Sequence, residues 1–186
     1  LADKPKMMKN LFYILLLIFI SQCKPKEDNR LAQFPGKPEV PSSIKKAHIH
    51  LLEQIHMMAL YKDGSGHVAK KLEDLMQHHF REEEDFILPS LGLLPLLARG
   101  QEPEHATDVV LLSEKAESML NHMSVEHQLI NAYVAELKQA SAKENLPDII
   151  KFENEVLNHA TSEEEVFFPA SILIGKYLKL KVAAKP

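Results

Sequence analysis

Two stretches of the chain carry the same chemically capable side chains at the same spacing. One is His79-Phe80-Arg81-Glu82-Glu83-Glu84-Asp85-Phe86-Ile87-Leu88-Pro89; the other, eighty residues on, is His159-Ala160-Thr161-Ser162-Glu163-Glu164-Glu165-Val166-Phe167-Phe168-Pro169. Each reads His, Glu at +4, Glu at +5, apolar residues at +7 to +9, and Pro at +10. Residues i and i+4 of a helix lie one above the other on the same face. Each copy therefore aims one imidazole and one carboxylate the same way. Those two groups together suit a divalent metal of borderline hardness, and two such helices face to face make a metal site. The proline predicts that each helix stops or bends there.

Helices are needed to hold these motifs, and the apolar spacing supplies four. Pro41-Ser42-Ser43 reads as a helix start with a capping hydroxyl, followed by a seam of Ile44, His48, Leu51, Ile55 and Met58 that ends near Tyr61. The second helix is expected from about His67 to Leu88, with Val68, Leu72, Leu75, His79, Glu83 and Phe86 in its seam. Residues 90–104, with Gly92, Pro95, Gly100 and Pro103, read as a long connection. A third helix begins near Thr107 and ends near Ala140, its clearest seam being Leu120, Met123, His127, Ile130, Val134 and Leu137. Pro147 opens the fourth, with Ile149, Phe152, Val156, His159, Glu163 and Val166, and a short C-terminal helix is expected from Ser171 to about Val182. The pattern predicts an all-α, antiparallel up-down-up-down four-helix bundle.

Six polar residues interrupt these apolar seams: His48, His79, Glu83, His127, His159 and Glu163. Buried polar groups are costly unless paired, and carboxylates more so. His48 lies 13 residues before the expected end of its helix, and His79 lies 12 after the start of the next. His127 and His159 repeat those offsets of 13 and 12 in the third and fourth helices. In an up-down-up-down bundle all four imidazoles then fall in one layer, with the two glutamates one turn along. Four imidazoles and two carboxylates form a ligand set for two divalent metals, with coordination positions left open for a small molecule. His50 is the rival to His48 on the first helix. His56 reads as a core or supporting residue, and His67, His78, His105 and His122 lie off the layer.

Composition sets the remaining bounds. The chain has 186 residues, 45% hydrophobic and 26% charged, which suits one globular domain with a sizeable core. The net charge of −4 comes from scattered charges of both signs. No basic patch with interleaved aromatics is present, which argues against a nucleic-acid partner. The single cysteine, Cys23, rules out an intramolecular disulfide. Lys6 and Lys9 precede the apolar run Leu11 to Ile20, too short to span a bilayer and suited to a secretory signal. Phe19-Ile20-Ser21-Gln22-Cys23 resembles a lipobox, with Gln22 where Gly, Ala or Ser is usual. The expected organisation is a lipoprotein signal peptide (1–22), a flexible proline-bearing tether (23–41) lipidated on Cys23, and a helical domain (42–186). The product would be an exported, membrane-anchored bacterial lipoprotein.

The motifs together resemble the hemerythrin-like (HHE cation-binding) family of non-haem di-iron proteins. The stretches that carry the resemblance are His48-x-x-Leu51-Leu52-x-x-Ile55, the two His-x-x-x-Glu-Glu…Pro motifs, and Met123-x-x-Glu126-His127, across about residues 42–172. The resemblance implies two iron ions, bridged by the two glutamates. Classical hemerythrin has His-x-x-x-His on its third helix, where this chain has Met123 in the first slot. It also has His-x-x-x-x-Asp on its last, where this chain has His159-x-x-x-Glu163. Both departures look like the four-His, two-Glu branch that includes the iron-centre repair proteins, which are cytoplasmic. The function implied is binding of O2 or NO for storage, scavenging or sensing. The alternative is a di-iron enzyme or iron donor in oxidative or nitrosative repair of iron centres. No flavin, haem or other electron-supplying motif accompanies the site, which favours binding over turnover.

Overall fold

The computed structural model describes residues 37–184. The expected signal segment, Cys23 and most of the expected tether lie outside the described residues. All regular structure among the described residues is helical: α1 (Ser42–Met58), α2 (Gly64–Glu82), α3 (Leu94–Ala98), α4 (Ala106–Ala140), α5 (Leu146–Ser162) and α6 (Phe168–Ala183). Helix α1 packs on α2 and α5, and α4 packs on the same two, so the four long helices close a ring. This is the expected four-helix bundle. None of the described helices is long and apolar enough to cross a membrane.

The seam of α1 is buried as its spacing requires: Ile44, His48, Leu51, Ile55 and Met58. The expected hydroxyl cap is not made. Pro41 is the N-cap residue, and its carbonyl accepts from the N–H groups of Ile44 and Lys45 at 3.0 and 3.3 Å. Ser42 already lies inside the first turn. Helix α2 starts three residues earlier than expected because Asp63 caps it, accepting from the Ser65 N–H at 3.0 Å. The same carboxylate accepts from the Ala142 N–H at 2.6 Å and the Asn145 amide at 3.0 Å. One side chain thus ties the α1–α2 loop to the α4–α5 loop. Hydrogen bonds from the Ser65 hydroxyl first, then from Ala142, hold its pKa down to about 2.

The prolines do not simply end their helices. A π turn, Glu83–Ile87, follows α2, and a second, Glu163–Phe167, follows α5. In each the carbonyl of the first glutamate accepts from the N–H five residues on, Leu88 or Phe168. The widened turn sits just ahead of Pro89 and Pro169, where an α-helical ladder would lose a donor and meet the ring. Beyond it, Pro89 lies in the first turn of a 3-10 stretch (Leu88–Leu93) and Pro169 in the first turn of α6. The extra residue also shifts the seam. Val166, expected inside, is 55% exposed, and Phe168 is buried in its place. Ile87 likewise replaces Phe86 as the fully buried residue. The expected connection at 90–104 holds the end of the 3-10 stretch and α3, with Pro95 in its first turn.

Two apolar clusters fill the interior. One joins Leu51, Ile55, Leu72, Met76, Ile130, Leu137, Ile149 and Phe152 at the end closed by Asp63. The other joins Ile44, Ile87, Leu88, Met119, Met123, Phe168, Ile174 and Leu178. The six polar seam residues lie in neither cluster. Helix α6, expected as a short tail, spans 16 residues and packs along α4. Gly175 permits this: a Cβ there would stand 2.1 Å from the Ser113 Cβ. The Ser113 hydroxyl donates to the Ser171 carbonyl at 3.1 Å.

Gly175→Ala is expected to destabilise the fold by about 1–3 kcal/mol through overpacking, read as a lower denaturant midpoint. Asp63→Ala is expected to lower Tm by several degrees at neutral pH. The folded pKa lies below the unfolded one, so this contribution is complete above about pH 4. It is lost as pH falls through about 2, where the two melting curves should converge.

Candidate metal centre

All six residues singled out by sequence converge at the middle of the bundle. Helix α1 contributes His48, α2 and its π turn His79 and Glu83, α4 His127, and α5 and its π turn His159 and Glu163. His48 and His79 are 1% exposed, His127 5%, and both glutamates 0%.

The carboxylates divide their oxygens between two pairs of imidazoles. Glu163 Oε1 lies 3.4 Å from His48 Nε2 and 2.9 Å from His159 Nε2. Glu83 Oε2 lies 3.6 Å from the same His48 atom. On the other side, Glu83 Oε1 lies 3.1 Å from His79 Nε2 and 3.9 Å from His127 Nε2, and Glu163 Oε2 lies 3.4 Å from the latter. The result is two donor sets of two nitrogens and two oxygens: His48, His159, Glu83, Glu163 and His79, His127, Glu83, Glu163. Bonds of about 2.1 Å to one cation hold adjacent donors roughly 3 Å apart, close to what is seen. The atoms facing the interior lack hydrogen-bond partners: His79, His127 and His159 Nε2, both oxygens of Glu83, and Glu163 Oε2. Orphaned buried atoms of this kind are costly, and cations between them would satisfy every one.

Carboxylates also stand behind the rings. The Nδ1–H groups of His48, His79 and His127 donate to Glu84 Oε1, Glu126 Oε2 and Glu164 Oε1 at 2.7, 2.8 and 2.8 Å. A carboxylate can only accept, so each contact fixes the ring and turns Nε2 inward, the arrangement usual behind metal-bound imidazole. Sequence reasoning assigned none of these three glutamates a role. Glu84 and Glu164 are the +5 residues of the two motifs, and each reaches across to the histidine of a neighbouring helix. Their repetition was the available signal. Aromatic packing adds to the fixation. Phe80 stacks on His48 at 4.1 Å between centroids, and Phe168 lies nearly parallel to His127 at 6.0 Å.

The protonation equilibria show a site that draws in positive charge. Burial lowers the His79 pKa, but the carboxylates of Glu126 and Glu83 outweigh it and raise the group to about 10. His48 and His127 move up for the same reason: burial opposes, and Glu163 leads the opposing carboxylates. Burial, then the neighbouring Glu163 charge, push Glu83 up. Burial acts to raise Glu163 too, but the close imidazoles of His127, His159 and His48 hold it well below the usual carboxylate range.

The rival and remaining histidines lie elsewhere. His50 is 58% exposed and pairs with Glu155 at 3.2 Å. His56 is 61% exposed and bonds Glu73 at 2.8 Å, which corrects the expectation of a core or supporting position. A cavity of about 10 Å³ adjoins the centre, lined by His79, His127 and His159 together with Leu51, Met76, Ile130 and Val156. It has room for about one water-sized molecule.

Fold and site define a metal-binding helical bundle. The family model of the hemerythrin HHE cation-binding domain matches residues 40–171, and the chain belongs to that family. No curated protein and no solved structure matches the chain significantly.

Glu84→Ala and Glu164→Ala, both at partly exposed positions, are expected to weaken metal binding about 10–100-fold with an unchanged helical circular-dichroism spectrum. Metal uptake must also displace the protons that the carboxylates hold on His48, His79 and His127. Affinity should therefore rise with pH through their raised pKa values and fall on acidification. Calorimetry in buffers of different ionisation enthalpy should record the proton release.

Proposed function

We propose that the bundle holds two iron ions, with His48 and His159 on one, His79 and His127 on the other, and Glu83 and Glu163 bridging both. The observation that carries this reading is the division of each buried carboxylate, one oxygen to each pair of imidazoles. Six protein ligands leave coordination positions free even with both carboxylates bridging. Iron bound there would supply a redox-active pair able to take a small ligand.

The ligand proposed is a diatomic molecule, O2 or NO, bound for storage, scavenging or sensing. The small cavity beside His79, His127 and His159 supports this, since its size leaves room for only a small molecule. The rings, pinned by Glu84, Glu126 and Glu164, keep the centre from rearranging around its ligand. Turnover or donation of iron to damaged centres is the second reading, and a reductant-dependent rate would favour it. Cys23, carrying a lipid, would tether the domain to a membrane surface outside the cytoplasm.

The test is iron content and an optical spectrum on residues 24–186, purified without a histidine tag. About two irons per chain are expected, with near-ultraviolet bands that are lost in His79→Ala/His159→Ala and that change on adding O2 or NO. Iron that is absent, or unaffected by the double substitution, would overturn the assignment.

A further inference from the structure

A second set of metal-capable side chains lies outside the buried centre. His78 and Glu82 occupy positions i and i+4 on α2, and His122 and Glu126 occupy i and i+4 on α4. The two pairs meet across the α2–α4 interface. His122 Nε2 lies 2.8 Å from Glu82 Oε2 and 3.5 Å from Glu126 Oε1. His78 lies 3.7 Å from Glu126 Oε1 through Nδ1 and 4.0 Å from Glu82 Oε1 through Nε2. Donors of His78, Glu82 and Glu126 fall within 4.8 Å of one another. We propose that His78, Glu82, His122 and Glu126 form a separate surface site for one divalent transition-metal cation, of the class that takes mixed nitrogen and oxygen ligands.

Geometry supports the assignment. Tetrahedral bonds of about 2.1 Å to nitrogen and oxygen set adjacent donors roughly 3.4 Å apart. One donor each from His78, Glu82 and Glu126 already falls within 4.8 Å of the others, and the exposed rings of His78 and His122 have to rotate to bring a single nitrogen each onto the ion. Two i,i+4 pairs on facing helices also supply donors from rigid elements rather than loops.

Charge and position point the same way. Glu82 and Glu126 pair only with histidines among the described residues, so the cluster has no fixed cation of its own. Glu126 is partly preorganised: its Oε2 accepts from His79 Nδ1, which leaves Oε1 facing His78 and His122. Side-chain exposures of 57% for His78 and 47% for His122 leave the site open to ions from solution, unlike the buried centre. Glu126 borders both sites, but His78 and His122 are not among the six residues of that centre, so substitution of the two histidines tests the surface site separately.

The test is zinc binding, followed by calorimetry and by zinc content after gel filtration. It compares the wild-type chain with His78→Ala/His122→Ala and His48→Ala/His159→Ala, with folding checked by circular dichroism. His78→Ala/His122→Ala should lose one zinc equivalent, or bind it at least tenfold more weakly, and keep the metal of the buried centre. His48→Ala/His159→Ala should keep the surface equivalent. Zinc binding in His78→Ala/His122→Ala that matches wild type in amount and affinity would overturn the proposal. Zinc that persists undiminished in His48→Ala/His159→Ala would instead count against the buried centre, so the two readings fail separately.

Discussion

Two carboxylates sit with no solvent contact in the middle of an apolar bundle, and the need to neutralise them shapes everything near them. Removing an ionised carboxylate from water costs several kcal/mol even after relaxation. Four imidazoles, one from each long helix, crowd around the pair as its counterweight. Three of those rings are backed in turn by further carboxylates at the edge of the bundle. Charge therefore alternates outward from the centre: carboxylate, imidazole, carboxylate. An apolar cluster on each side seals this layer and keeps the local dielectric low.

The two π turns make that alternation possible. Each begins at the buried glutamate itself. One turn of backbone then serves two carboxylates: Glu83 or Glu163 aims inward, while Glu84 or Glu164 reaches the back of a ring on an adjacent helix. The proline five residues after Glu84 or Glu164 ensures that the ladder must reorganise there. The repeated His-x-x-x-Glu-Glu…Pro spacing thus encodes one device: ligand, bridge, support and a widened turn.

Much of this was legible in the sequence. The seams of α1 and α5 were read correctly up to the glutamates, and the matched helix offsets placed the four imidazoles in one layer. Departures begin where backbone geometry leaves the α-helical period. A 3.6-residue repeat points Val166 and Phe86 inward, and the π turns move that role to Phe168 and Ile87. Asp63 was invisible for another reason: its partners Ala142 and Asn145 are about eighty positions away. The cap expected at Ser42 or Ser43 is not made because the helix already begins at Ser42, with the non-helical Pro41 as its N-cap. Glu126 stands within a motif, but nothing local announces that its carboxylate reaches His79 on α2.

The four helices contribute unequally to the centre. Helix α1 supplies one donor, His48, whereas α2 and α5 with their turns supply two each. The set of His79, His127, Glu83 and Glu163 is complete once α2, α4 and α5 have come together. The set that includes His48 and His159 is complete only after α1 has docked. Cations held as proposed would therefore do different work: one would link α2, α4 and α5, while the other would be the rivet that fastens α1 to its neighbours.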